Sequence, residues 1–114
     1  MSDLAKQKCV PCEGGLPPAD DQEIASLTTE IPQWTVIEER GIKQLQRVFK
    51  FSDWQAAMVF SQQVGDAAEA AGHHPALLTE WGKVTVTWWT HAIGGLHKND
   101  FVMAAKTDVI AKEA

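Results

Sequence analysis

The chain has 114 residues, 45% hydrophobic and 22% charged, which fits a single folded domain with one core. Ten basic residues are scattered among 15 acidic ones, for a net charge of −5, so the basic footprint of a direct DNA or RNA binder is missing. No apolar run approaches the ~20 residues that span a bilayer, and Met1 to Lys8 carries no apolar signal core, so a cytoplasmic location without membrane contact is expected.

Residues 1–18 read as a flexible leader that ends in Gly14-Gly15-Leu16-Pro17-Pro18. It holds both cysteines, as Cys9-Val10-Pro11-Cys12. Redox motifs of this spacing usually open a helix after a strand, and this one precedes every periodic segment. A second Cys-x-x-Cys that would complete a zinc site is missing. The simplest reading is a pair of reduced thiols, with a disulfide under oxidation as the alternative.

The folded domain is expected over residues 19–114. Asp20 or Asp21 is placed to cap a short helix through about Leu27, with Ile24 and Leu27 facing inward. Pro32 bars its continuation. Trp34 to Arg40 reads as a strand and Gly41 as a turn. A second strand follows, in which Leu45, Phe49 and Phe51 share a face, so the pair reads as a hairpin.

Ser52-Asp53-Trp54-Gln55 has capping-box spacing, with Ser52 as the cap. The helix it opens runs to about Ala71. Ala57, Phe60, Ser61, Val64, Ala67, Ala68 and Ala71 form its inward stripe. Gly72 suits the position after a helix end, and Pro75 prevents the helix from resuming.

Leu77 to Trp81 is a short strand candidate, and Gly82 permits a turn. Lys83 to Thr90 is the clearest strand: Val84, Val86 and Trp88 alternate with Thr85, Thr87 and Trp89. His91 ends it on the threonine side. After the Gly94-Gly95 loop, a last helix is predicted from Lys98 or Asn99 to Lys112, with Val102, Ala105, Val109 and Ile110 inward. The order predicts an α+β fold, a four-stranded antiparallel sheet with three helices packed on one face. Trp89 on the uncovered face would mark a ligand pocket or a subunit contact.

Three of the four histidines, His73, His74 and His91, fall where the second helix breaks and the long strand ends. Imidazole exchanges protons near neutral pH, so this is a candidate site of proton transfer or ligand binding. Pro75 biases His74 towards an extended backbone and stiffens the mount. Glu69, one turn before the break, is within reach of the histidines, and a carboxylate orients an imidazole. Structural readings stay open beside this one. A histidine at a helix end often serves as a cap, Trp81 alone reads as core, and Asp100 alone reads as part of a helix N-terminus. Three imidazoles and a water would also make a zinc site, although adjacent histidines chelate one ion poorly.

The pattern Glu69-x₃-His73-His74-Pro75-x₅-Trp81-x₉-His91-x₈-Asp100 resembles the signature of the pterin-4a-carbinolamine dehydratases, known in animals also as the dimerisation cofactor of a homeodomain transcription factor. The resemblance extends over about residues 20–112. It implies dehydration of 4a-hydroxytetrahydrobiopterin to quinonoid dihydrobiopterin and water, which recycles the cofactor of aromatic amino-acid hydroxylases. It implies a pterin substrate, phenylalanine hydroxylase as the usual associate, and a homodimer or homotetramer. No metal and no organic cofactor is called for. By the same resemblance His73 and His91 are the acid/base pair and His74 binds and orients the pterin. Glu69 supports the histidines, and Thr90 and Asp100 contact the ligand or shape the site.

Three positions depart from the pattern. Gly72 stands where some members have an acid, which removes one acidic partner from His73. Trp89 replaces a small polar residue. His97 replaces a Ser/Thr cap, so the last helix is expected to start weakly unless His97 serves otherwise. Two rival functions remain: a binding module that partners a hydroxylase or a transcription regulator without turnover, and a small metallohydrolase built on His73, His74 and His91.

Overall fold

Two hairpins build the sheet. In the first, β1 (Thr35–Glu39) pairs with β2 (Ile42–Lys50). The turn residues Arg40 and Gly41 have φ of 53° and 80°, and two such residues in succession match the twist of an antiparallel pair. In the second, β3 (Ala76–Glu80) pairs with β4 (Lys83–Trp88). β4 lies beside β2, so the order is β1-β2-β4-β3 with every neighbour antiparallel. This is a computed structural model, and it describes residues 4–6 and 19–113. Cys9 and Cys12, with the readings attached to them, lie outside the described residues.

Strand alternation sorts the two faces as predicted. Leu45, Phe49, Val84, Val86 and Trp88 are buried beneath the helices. Val48 and Leu78, on the other face, are 47% and 58% exposed. The helices are α1 (Asp21–Thr28), α2 (Trp54–Ala71) and α3 (Lys98–Glu113). This is the expected α+β architecture, a four-stranded antiparallel sheet with three helices.

Asp20 caps α1 with a full capping box: its carboxylate accepts the Glu23 N–H at 2.8 Å, and Glu23 reaches back to the Asp20 N–H. For α2 the cap is Asp53, not Ser52. The helix begins at Trp54, so the N–H that needs a partner belongs to Ala56, and the Asp53 carboxylate accepts it at 2.8 Å. Gln55 then falls too early in the first turn to reciprocate. The α2 stripe of Ala57, Phe60, Val64 and Ala68 is buried, as its spacing predicted.

The last helix departs from its predicted stripe. Phe101, Val102, Met103, Ala104 and Ala105 are all buried, whereas Val109 and Ile110 are only partly so. The reason is that α3 is covered on more than one side. It packs on the sheet and α2, and also on α1 and a single 3₁₀ turn at Leu4–Lys6. A helix buried nearly all round needs no narrow stripe. Leu4 is 1% exposed, and Lys106 Nζ donates to the Ala5 carbonyl at 2.7 Å. Part of the segment read as a leader therefore belongs to the core. No helix among the described residues is long and apolar enough to cross a membrane.

Candidate active site

The break after α2 sets the first histidine. Gly72 takes φ 66°, in the left-handed region, and the His73 N–H returns to the Ala68 carbonyl at 3.1 Å. That closure turns the chain sharply and directs His73 toward the start of α3.

His73 Nε2 lies 2.6 Å from Asp100 Oδ1. The His73 side chain is 10% exposed and that of Asp100 is fully buried. The other carboxylate oxygen, Oδ2, accepts the Thr90 hydroxyl at 2.8 Å and the His97 N–H at 2.9 Å. A buried carboxylate is tolerated only when bonded in this way, and its place in the first turn of α3 sets it against the positive end of the helix.

His97 completes the arrangement. Its Nδ1 accepts the Asn99 N–H at 3.2 Å while Asp100 accepts the His97 N–H. This is a reciprocal cap with imidazole in place of a hydroxyl. The α3 start is therefore supported on both sides, and His97 is the residue that supports it.

His73 also lies nearly parallel to Trp88, with ring centroids 5.7 Å apart and planes 4° apart. Among the described residues no hydrogen bond reaches His73 Nδ1, and no buried side-chain nitrogen or oxygen lacks a partner. Nδ1 therefore keeps some of the 10% exposure of the His73 side chain.

His74 faces the other way. Its Nε2 is 2.7 Å from Glu69 Oε1, in a pair whose side chains are 61% and 81% exposed. His91 is exposed and stacks on Trp89, with centroids 4.5 Å apart and planes 14° apart. The fold thus brings His73, Thr90 and Asp100 into one bonded cluster and joins His74 to Glu69. His91 stands outside both hydrogen-bonded groups, on the neighbouring tryptophan.

Thr90 and Asp100, expected to contact the ligand or shape the site, are 2% and 0% exposed and bond to each other and to His73, an arrangement that shapes the site. Glu69 serves His74 alone, and the acidic partner of His73 is Asp100. Trp81 is 71% exposed, because it sits in the β3–β4 turn and not in the core. Trp89 is half-buried under His91. Sequence reasoning missed the parts played by Trp88 and His97. The His97-x-x-Asp100 spacing is that of a capping box and was the available signal for the second. The Trp88 contact with His73 comes from tertiary packing alone.

Among the described residues no three His, Cys, Asp or Glu groups are placed to hold a metal ion. A cleft of about 300 Å³ at Gln33, Thr35, Ile37, Gln46, Arg47 and Val48 includes none of the histidines.

The family model for pterin 4 alpha carbinolamine dehydratase matches residues 17–110. The chain belongs to the pterin-4a-carbinolamine dehydratase family. A relative from Microcystis aeruginosa is 55% identical, covering 99% of this chain and 97% of its own. One from Chlorobaculum tepidum is 54% identical, covering 95% and 97%. Both are named, provisionally, as pterin-4-alpha-carbinolamine dehydratases, that is, as hydro-lyases. The crystal structure of a transcriptional coactivator/pterin dehydratase from Brucella melitensis is similar with a TM-score of 0.74 at 30% identity, covering 82% of this chain and 98% of that one.

Proposed function

We propose that this chain dehydrates 4a-hydroxytetrahydrobiopterin to quinonoid dihydrobiopterin, with His73 and His91 as its acid/base pair. The observation that carries the reading is the His73–Asp100–Thr90 cluster. One imidazole nitrogen is held by a buried carboxylate and the other has no hydrogen bond among the described residues.

The chemistry needs such groups. The N5–H bond breaks and its electrons form the N5–C4a double bond. The C4a–O bond breaks and the hydroxyl leaves as water after taking up a proton. One proton is removed and one delivered, so the enzyme ends as it began. An imidazole near its own pKa suits both tasks, and each transfer is typically worth ~10²–10⁴-fold. Neutral His73 with its Nε2–H on Asp100 offers Nδ1 as a base, and protonated His73 offers the same atom as an acid. Asp100 and Thr90 act here as positioning residues. They fix the tautomer and direction of the ring, as a carboxylate does for the histidine of a hydrolase triad.

His91, exposed and braced on Trp89, is the second acid/base group. His74, with Glu69 at 2.7 Å, binds and orients the pterin. The step calls for no metal and no organic cofactor. Its place is the recycling of the cofactor of aromatic amino-acid hydroxylases in the cytoplasm, with phenylalanine hydroxylase as the proposed associate. A homodimer or homotetramer fits the exposed apolar strip of Trp54, Met58 and Val59 on α2, since large exposed apolar groups in one place mark contact surfaces.

Stopped-flow absorbance of 4a-hydroxytetrahydropterin generated in situ tests the reading. Wild type should speed its decay and His73→Ala should not. Decay no faster than buffer with wild type would leave a binding module, and the search would turn to its partner.

A further inference from the structure

We propose that Trp88 is a positioning residue for the dehydration, fixing the plane of the His73 ring; this rests on the reading of His73 as an acid/base group. The argument is geometric. Asp100 holds His73 by one atom, Nε2, at 2.6 Å. A single hydrogen bond fixes the direction of a ring edge but leaves the ring free to swing about it. Swinging would sweep Nδ1, the open nitrogen, away from any one point on a bound ligand.

The missing constraint is the indole. The His73 and Trp88 planes differ by 4° at a centroid separation of 5.7 Å. An offset, parallel stack of this kind resists rotation out of plane. Trp88 is itself held in place by packing and a hydrogen bond. It is fully buried, and its Nε1 donates to Thr107 Oγ1 at 3.2 Å. Thr107 in turn donates to the Met103 carbonyl at 2.7 Å. So the side chain at the end of β4 is tied to the middle of α3, and α3 also carries Asp100 at its start.

The two constraints on His73 therefore come from one helix. Asp100 sets where the ring edge points, and Thr107, through Trp88, sets the plane in which it lies. A reacting group must be held to a fraction of an ångström, and misplacement by ~1 Å costs on the order of 10²-fold in rate. A leucine in place of Trp88 would fill much of the core but present no flat face. A phenylalanine would keep a flat face without the indole N–H.

The experiment compares Trp88→Leu, Trp88→Phe and Thr107→Val with wild type. Each is followed by steady-state dehydration and by the His73 ring-proton resonances in ¹H–¹³C spectra, on protein verified as folded by circular dichroism. In Trp88→Leu, kcat should fall about 10- to 100-fold with KM nearly unchanged, since pterin binding is assigned to His74 and only the reacting group is misaligned. The His73 resonances should move in the same variant. Trp88→Phe should restore most of both. Thr107→Val, which keeps Trp88 and loosens it, should give an intermediate loss and keeps the test open if Trp88→Leu does not fold. Wild-type kcat in folded Trp88→Leu or Thr107→Val, or unmoved His73 resonances, would overturn the proposal. If wild type shows no dehydration at all, the functional reading fails instead, and the His73 resonances of Thr107→Val, which keeps the indole and its ring current, still report whether the hold on Trp88 sets the ring plane.

Discussion

His73 and Asp100 meet at 2.6 Å although 27 residues separate them in the chain. One follows the C-terminus of α2 and the other lies in the first turn of α3, so their contact records how the two helix ends are set against each other. The carboxylate also takes the Thr90 hydroxyl and the His97 N–H, which leaves little freedom to either residue. Asp100→Asn keeps the shape but offers an N–H₂ where one oxygen accepted, and it removes the charge opposite His73. The rate of dehydration should fall at least about tenfold, since the tautomer and orientation of the imidazole are no longer enforced. Asp100→Ala should in addition destabilise the fold by about 2–4 kcal/mol, because Thr90 and the start of α3 lose their partner. Stopped-flow rates and urea midpoints on the two variants check both statements, and wild-type kcat in Asp100→Asn would refute the positioning role.

His91→Ala should cost activity and leave stability nearly unchanged. The ring is exposed and stacks on Trp89, so its removal should cost under about 1 kcal/mol. Turnover should be lost. If denaturation instead reports a loss of several kcal/mol, the histidine is structural and the acid/base pairing with His73 is wrong.

Period and punctuation made most of this fold legible from the chain. The alternation of Val84, Val86 and Trp88 with Thr85 and Thr87 gave the central strand and its faces. Gly41, Gly72 and Gly82 marked real turns, each with positive φ. The candidate site was named in the chain as a set of residues and not as an arrangement. Nothing local to Asp100 says that it bonds His73, because that contact depends on the approach of two helices. Gly72 removes one acidic partner from His73 and Glu69 was the expected support, yet the carboxylate that His73 meets comes from α3. His97 looked like a missing cap and is a working one, since an imidazole nitrogen with a lone pair accepts an N–H as a hydroxyl does. Leu4 escaped because a lone leucine in a polar segment has no period to betray it, and only its burial against α3 shows its use.

That burial makes a stability prediction. Leu4 is 1% exposed within the core cluster, so Leu4→Ala should cost about 2–5 kcal/mol, the range for emptying a well-packed leucine site. A segment that merely trails from the domain would tolerate the change. Urea unfolding of Leu4→Ala decides between the two, and an unchanged midpoint would remove Leu4 from the core. Lys106→Met should reproduce a small part of the effect, through loss of the bond to the Ala5 carbonyl.

The surface pair Asp21–Lys43 predicts a dependence on pH and salt that is independent of the site. Lys43 Nζ lies 2.5 Å from Asp21 Oδ1 and ties α1 to β2. The hydrogen bond and charge of Lys43 lower the Asp21 pKa below 3.8. The hydrogen bond and charge of Asp21 raise the Lys43 pKa above 10.5. For Asp21 the folded state then binds its proton less readily than the unfolded chain, so the contribution is present above 3.8 and disappears as the pH falls through the lowered folded value. For Lys43 the contribution is present below 10.5 and disappears as the pH rises through the raised folded value. Both side chains are solvent-accessible, so the effect should be small and screened by salt. Urea midpoints of wild type, Asp21→Asn, Lys43→Met and the double variant should show a coupling between these limits at low salt, and none in strong salt. Asp21 also lies in the first turn of α1, where an acid opposes the helix dipole, so Asp21→Asn alone should cost more than Lys43→Met. Equal losses for the two would mean that the pair, and not the helix end, accounts for the whole contribution of Asp21.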